Sequence, residues 1–119
     1  MTEKRRKVLV MCAEHRTRRE ICSRINGSGV ETGEVRNLVE AFRMLRDFPE
    51  YGLLVLGDEE KVSLHLAAIF EGVNNAPPMV VRGPKALESD SKRKPFPVWG
   101  YEEDSLGLAK RACELMQRP

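Results

Sequence analysis

Lys7-Val-Leu-Val-Met-Cys12 and Leu53-Leu-Val-Leu56 are the stretches on which the fold turns. Both are continuous apolar runs of strand length, without the alternation expected of a strand that shows one face to water. Strands buried on both faces call for helices above and below a parallel sheet, and the residues around the two runs supply them. Residues 15–25 place Ile21, Cys22 and Ile25 on one face and arginines on the other, an amphipathic helix that Asn26-Gly27-Ser28-Gly29 ends. Val30–Val35 reads as a short edge strand. Asn37 is positioned to cap a second helix, in which Leu38, Ala41, Phe42 and Leu45 keep helical spacing before Pro49 closes the unit.

Beyond Leu56 the same alternation continues. Residues 61–73 carry Val62, Leu66, Ile69, Phe70 and Val73 on a helical stripe, ended by Asn74-Asn75. Met79-Val-Val81, introduced by Pro77-Pro78, is a further buried strand. Residues 83–94 are polar and read as a loop with at most a turn or two of helix. Phe96–Tyr101 is an edge-like fifth strand, because Pro95 and Pro97 remove backbone donors. Asp104 or Ser105 starts the last helix, with Leu108, Ala109, Ala112, Leu115 and Met116 inward. Glu102, Glu103 and Asp104 stand where its dipole favours negative charge. The order predicts an α/β, flavodoxin-like three-layer sandwich. Its sheet is five-stranded and parallel in the order 2-1-3-4-5, with the fourth helix short or missing. Ligands in such a sheet meet the carboxyl ends of strands one, three and four, which directs attention to residues 12–15, 57–60 and 82–84.

The bulk numbers agree with one small domain. The chain has 119 residues, 41% hydrophobic, 6% aromatic and 32% charged, enough to close a single core over residues 1–119. Twenty Lys and Arg against 18 Asp and Glu leave a net charge of +2, neither a basic nucleic-acid binder nor an acidic disordered tail. Positive charge gathers early: Lys4, Arg5, Arg6, Lys7, Arg16, Arg18, Arg19 and Arg24 face only Glu3, Glu14 and Glu20. Residues 1–6 read as a basic solubilising tail, and with no aromatic residues interleaved the cations offer no stacking platform for bases. No run approaches the roughly 18 apolar residues of a membrane span, and the basic N-terminus leads into a strand-length run, not a signal peptide. Cys12, Cys22 and Cys113 are odd in number and widely spaced, which predicts neither a disulfide framework nor a zinc site and suits a cytoplasmic protein.

With the elements placed, Lys7-Val-Leu-Val-Met-Cys-Ala-Glu-His-Arg-Thr-Arg18 resembles the opening of a bacterial response-regulator receiver domain. Gly29-Val-Glu, Glu40-Ala-Phe-Arg-Met-Leu45, Tyr51-Gly-Leu-Leu-Val-Leu-Gly57 and Asn75-Ala-Pro-Pro-Met-Val-Val81 extend the likeness over roughly residues 5–84. The remainder follows only in its strand-then-helix order. The resemblance implies that the family's phosphorylation chemistry is missing. Cys12 and Ala13 stand where the aspartate pair would hold Mg²⁺, a hard cation that needs oxygen ligands. Gly57 stands at the phosphoacceptor, and Arg82 or Gly83 at the hydroxyl residue that senses it. Trp99, Gly100 and Tyr101 occupy the end of the fifth strand, where a lysine belongs; Lys94 precedes that strand. Glu14 and Asp58 are the residual acidic residues, beside Glu59 and Glu60. In a shifted register Asp58 would be the acceptor and Glu14 a lone metal ligand, a poor Mg²⁺ site.

The chain is similar in this respect to the degenerate N-terminal receiver domains of sigma-54-dependent transcription activators, and Met1 and Gln117-Arg118-Pro119 suit such a domain. The resemblance implies a non-catalytic, phosphorylation-independent pseudo-receiver: a regulatory, protein-interaction domain in bacterial signal transduction or transcriptional control. It would use no cofactor, metal or small-molecule substrate and would not itself touch nucleic acid or membrane. Its expected partner is a protein or a second copy, met through the face formed by residues 84–116, with Trp99 and Tyr101 as natural contact residues.

One enzyme reading competes. Cys12 and Arg18 have the Cys-x5-Arg spacing of low-molecular-weight tyrosine phosphatases and arsenate reductases, where the thiolate attacks and the guanidinium grips the oxyanion. The loop between them lacks the glycine or asparagine that curls backbone N–H groups round an anion, and it puts Glu14 in the cradle. Arg19 replaces the hydroxyl residue that normally follows, and no Asp-Pro acid loop comes later. A cysteine-dependent phosphocarrier meets similar objections. His15 could pair with Cys12 as a base. His65 lies off the apolar stripe of its helix, and Gly27-Ser-Gly29 lacks the context of a phosphate loop.

Overall fold

In the computed structural model, which describes residues 7–73, 76–87 and 98–117, each apolar run is a strand of one parallel sheet. The strands are β1 (Lys7–Met11), β2 (Glu31–Val35), β3 (Tyr51–Leu56), β4 (Met79–Arg82) and β5 (Val98–Glu102). Their order is β2-β1-β3-β4-β5, with every neighbouring pair parallel. The helices are α1 (His15–Gly27), α2 (Leu38–Asp47), α3 (Glu60–Glu71) and α4 (Ser105–Met116). This is the flavodoxin-like three-layer sandwich that the sequence pattern predicts.

Alternate residues of each central strand feed opposite layers, which is why these strands read as unbroken apolar runs. Leu9, Met11, Leu54, Leu56, Met79 and Val81 meet Ala41 of α2 and Ala67 and Phe70 of α3. Val8, Val10, Leu53, Val55 and Val80 meet Ile21, Cys22 and Ile25 of α1 and Leu108, Ala109 and Ala112 of α4. No helix among the described residues is long and apolar enough to cross a membrane.

Several expected boundaries and faces move. β5 is described over Val98–Glu102, one residue past the expected end at Tyr101. Of the polar stretch after β4 the described part is Gly83, Pro84 and a single 3₁₀ turn, Lys85–Leu87; residues 88–97, with the expected strand start at Phe96, lie outside the described residues. The inward face of α3 is Ser63, Ala67 and Phe70, whereas Val62, expected inward, is 40% exposed. The rotation has a polar cause: the Ser63 hydroxyl donates to the Asp58 carbonyl at 2.7 Å, and lies 3.3 Å from that of Leu56, so it must face the end of β3. On α2 only Ala41 is buried; Phe42 stays at the margin, its ring 5.2 Å from that of Phe70.

The ladder between β4 and β5 shifts by one residue, from Met79–Val98 to Val80–Gly100, leaving Trp99 as the extra residue of a bulge. Trp99 is half-exposed there. Tyr101, grouped with it as an expected contact residue, is instead buried in the core.

Candidate functional site

Because all five strands are parallel, the segments that follow β1, β3, β4 and β5 emerge at one end of the sheet. They enclose an open cleft of about 560 Å³ lined by Cys12, Ala13, Glu14, Thr17, Gly57, Asp58, Glu59, Glu60, Arg82, Glu103 and Ser105. The four positions expected to mark a degenerate phosphorylation site, Cys12, Ala13, Gly57 and Arg82, therefore come together, and Glu14 and Asp58 join them. The N-termini of α1, α3 and α4 also open here. Carboxylates already stand at these ends, where the partial positive charge of the helix favours them: Glu14, Glu59 and Glu60, and Glu103.

The floor of the cleft is packed. Gly57 is buried, and its amide donates to the Met11 carbonyl at 2.9 Å, extending the β1–β3 ladder. A Cβ on Gly57 would lie 2.7 Å from Cδ1 of Ile21 and 3.5 Å from Cβ of Cys12. Ile21, fully buried on α1, thus fills the space into which a side chain at position 57 would start. Asp58 is only partly buried, and its Oδ1 accepts the backbone N–H of Ala13 at 2.9 Å, tying the end of β3 to the end of β1. Among the described residues, no three His, Cys, Asp or Glu side chains converge as a metal-binding set.

Arg82, at the end of β4, spans the cleft. Its Nε donates to the Gly57 carbonyl at 3.1 Å, and its two terminal nitrogens to the Glu103 carbonyl at 3.2 Å and the Ser105 hydroxyl at 2.8 Å. Gly83, next in the chain, is buried beneath Tyr101: a Cβ there would lie 3.2 Å from both the Tyr101 ring and Leu64. In register with Arg82 on β5, the mostly buried Glu102 carboxylate accepts Arg111 Nε at 3.0 Å and pairs with Lys85 at 3.0 Å.

Cys12 and Arg18 are arranged differently from a nucleophile and its anion grip. The Cys12 side chain is 1% exposed, and burial pushes its thiol pKa up, in the direction opposite to an activated cysteine. Arg18, expected on a solvated face, is buried. It donates to the Cys12 carbonyl at 2.9 Å, to Glu34 at 3.0 Å and to Nδ1 of His15 at 2.8 Å, where the ring nitrogen must accept because a guanidinium only donates. Arg19 also pairs with Glu34. Burial works to raise the Glu34 pKa, but the hydrogen bonds from Arg19 and Arg18 outweigh it and hold the carboxyl below its ordinary value. His65 is exposed on α3.

Sequence reasoning overlooked Ser63, Ile21, Glu34 and Ser105 as parts of this end of the molecule. Ser63 had a readable signal, since Ser63, Ala67 and Phe70 share a face at helical spacing. Glu34 had none, because its partners come from α1 across the β1–β2 crossover. Neither the family models nor the curated proteins compared with this chain give a match.

Proposed function

We propose that the protein is a phosphorylation-independent pseudo-receiver, a regulatory domain that acts through protein–protein contact in bacterial signal transduction or transcriptional control. The crowding at Gly57 carries this reading. The position that the resemblance assigns to the phosphoacceptor has no side chain, and Ile21 occupies the space where one would begin. Two further observations support it. The Cys12 and Ala13 side chains bring no oxygen ligand to the cleft, and Oδ1 of the Asp58 carboxylate is engaged by the Ala13 amide. The half-exposed Trp99 on edge strand β5 and the exposed Leu106 on α4 fit contact through the face formed by residues 84–116.

The cysteine-enzyme reading loses ground on the same geometry. Arg18 spends its donors on Glu34, His15 and the Cys12 carbonyl, and a buried thiol with a raised pKa is a poor nucleophile at neutral pH.

Incubation with acetyl phosphate and Mg²⁺ followed by intact-mass analysis tests the proposal. The expected result is an unmodified chain, and a phosphoryl adduct on Asp58 or any other cleft residue overturns it. Hydrolysis of para-nitrophenyl phosphate that disappears in Cys12→Ser would favour the enzyme instead.

A further inference from the structure

β3 and β5 are not neighbours in the sheet, because β4 lies between them. No ladder can therefore tie the segment after β3 to the segment after β5, although both line the cleft. Arg82 sits on the intervening strand, paired in register with Glu102, and its side chain reaches both. The Gly57 carbonyl belongs to the first residue past β3, the Glu103 carbonyl to the β5–α4 connection, and the Ser105 hydroxyl to the first turn of α4. A planar guanidinium can serve three such acceptors at once from one fixed fork, which an ammonium on a flexible stem does poorly. Its charge also lies among the carboxylates of Glu14, Asp58, Glu59, Glu60 and Glu103, which line the same cleft and would otherwise repel one another.

We infer that Arg82 is a permanent internal clamp, a cation supplied by the chain itself that holds the β3–α3 and β5–α4 connections in one arrangement. Two neighbouring features keep the β4 end in place. Tyr101 rests over Gly83, and the Gly83 amide donates to the Glu102 carbonyl at 3.1 Å. The inference stands on these hydrogen bonds and not on the receiver reading, so a positive phosphodonor result would leave it intact.

Amide hydrogen exchange on the intact chain tests it, with Arg82→Met, Arg82→Lys and Ser105→Ala compared with the unaltered protein. In Arg82→Met the amides of residues 57–60 and 103–107 should exchange about tenfold faster, beyond any change at the centres of β1 and β3. Arg82→Lys should fall between Arg82→Met and the unaltered protein. Ser105→Ala, which removes one acceptor and spares the guanidinium, should accelerate the same two segments by a smaller factor. Unchanged exchange in both segments overturns the clamp. So does an acceleration shared equally by cleft and core, which would make Arg82 a general stabiliser. If Arg82→Met does not fold, Ser105→Ala decides by the same criterion.

Discussion

At the scale of single residues, Gly57 and the buried thiols carry the most distinctive physics. Restoring a carboxylate by Gly57→Asp puts a Cβ 2.7 Å from Ile21 Cδ1, so the buried Ile21 side chain must shift to admit it. Overpacking of this kind costs about 1–3 kcal/mol, so urea denaturation should show a lowered midpoint. Adding Ile21→Val, which shortens the opposing side chain, should recover part of the loss; full stability in Gly57→Asp alone would contradict the crowding. The thiols make a separate prediction. Burial lifts Cys22 to about 11 from 9.0, against a weaker pull from its hydrogen bond to Thr32. Burial also raises Cys12 and Tyr51. Above pH 9 the unfolded chain gives up the Cys22 proton while the folded chain keeps it, so ionisation favours unfolding. Stability should therefore be intact below that pH and fall by roughly 2 kcal/mol as pH climbs towards 11. Cys22→Ala should flatten that fall, as read from denaturation midpoints across the pH series.

At the scale of elements, the capping chemistry is local and was legible. Asn37 accepts the Glu40 amide at 3.0 Å and Asp104 the Gly107 amide at 2.7 Å, each the side-chain cap of the helix that follows. Asp104→Ala should cost about 1 kcal/mol and fray the start of α4, visible as faster amide exchange at residues 105–108. The strands were equally legible, because burial on both faces leaves an unbroken apolar signature. Helix orientation was less so. The apolar count on α3 favours a face containing Val62, but the Ser63 hydroxyl answers carbonyls at the end of β3 and turns the helix. Arg18 leaves the solvated face expected of it for a related reason. Its long side chain is buried by Glu34 on β2 and by the carbonyl of Cys12, and neither partner can be inferred from the spacing of α1. Trp99 and Tyr101 look alike in sequence, yet the bulge that separates their fates depends on the register of β5 against β4.

At the scale of the whole molecule, the alternation of strands and helices specified the sheet order, and the sheet order specified which end of the molecule gathers the loops. That is why Cys12, Ala13, Gly57 and Arg82, scattered along the chain, meet in one cleft. What the order could not reveal is how the cleft is filled: by Ile21 from below, by Asp58 bound to a backbone amide, and by a guanidinium that serves three acceptors in two segments. Taken together these features describe a sheet end built to hold one arrangement. Adding Mg²⁺ and beryllofluoride, a phosphoryl mimic, to isotopically labelled protein and following its amide resonances tests this most directly. The account predicts that the amides of residues 12–14, 57–60 and 82–83 keep their positions throughout the titration. Saturable shifts centred on Asp58 and Glu14 would contradict it.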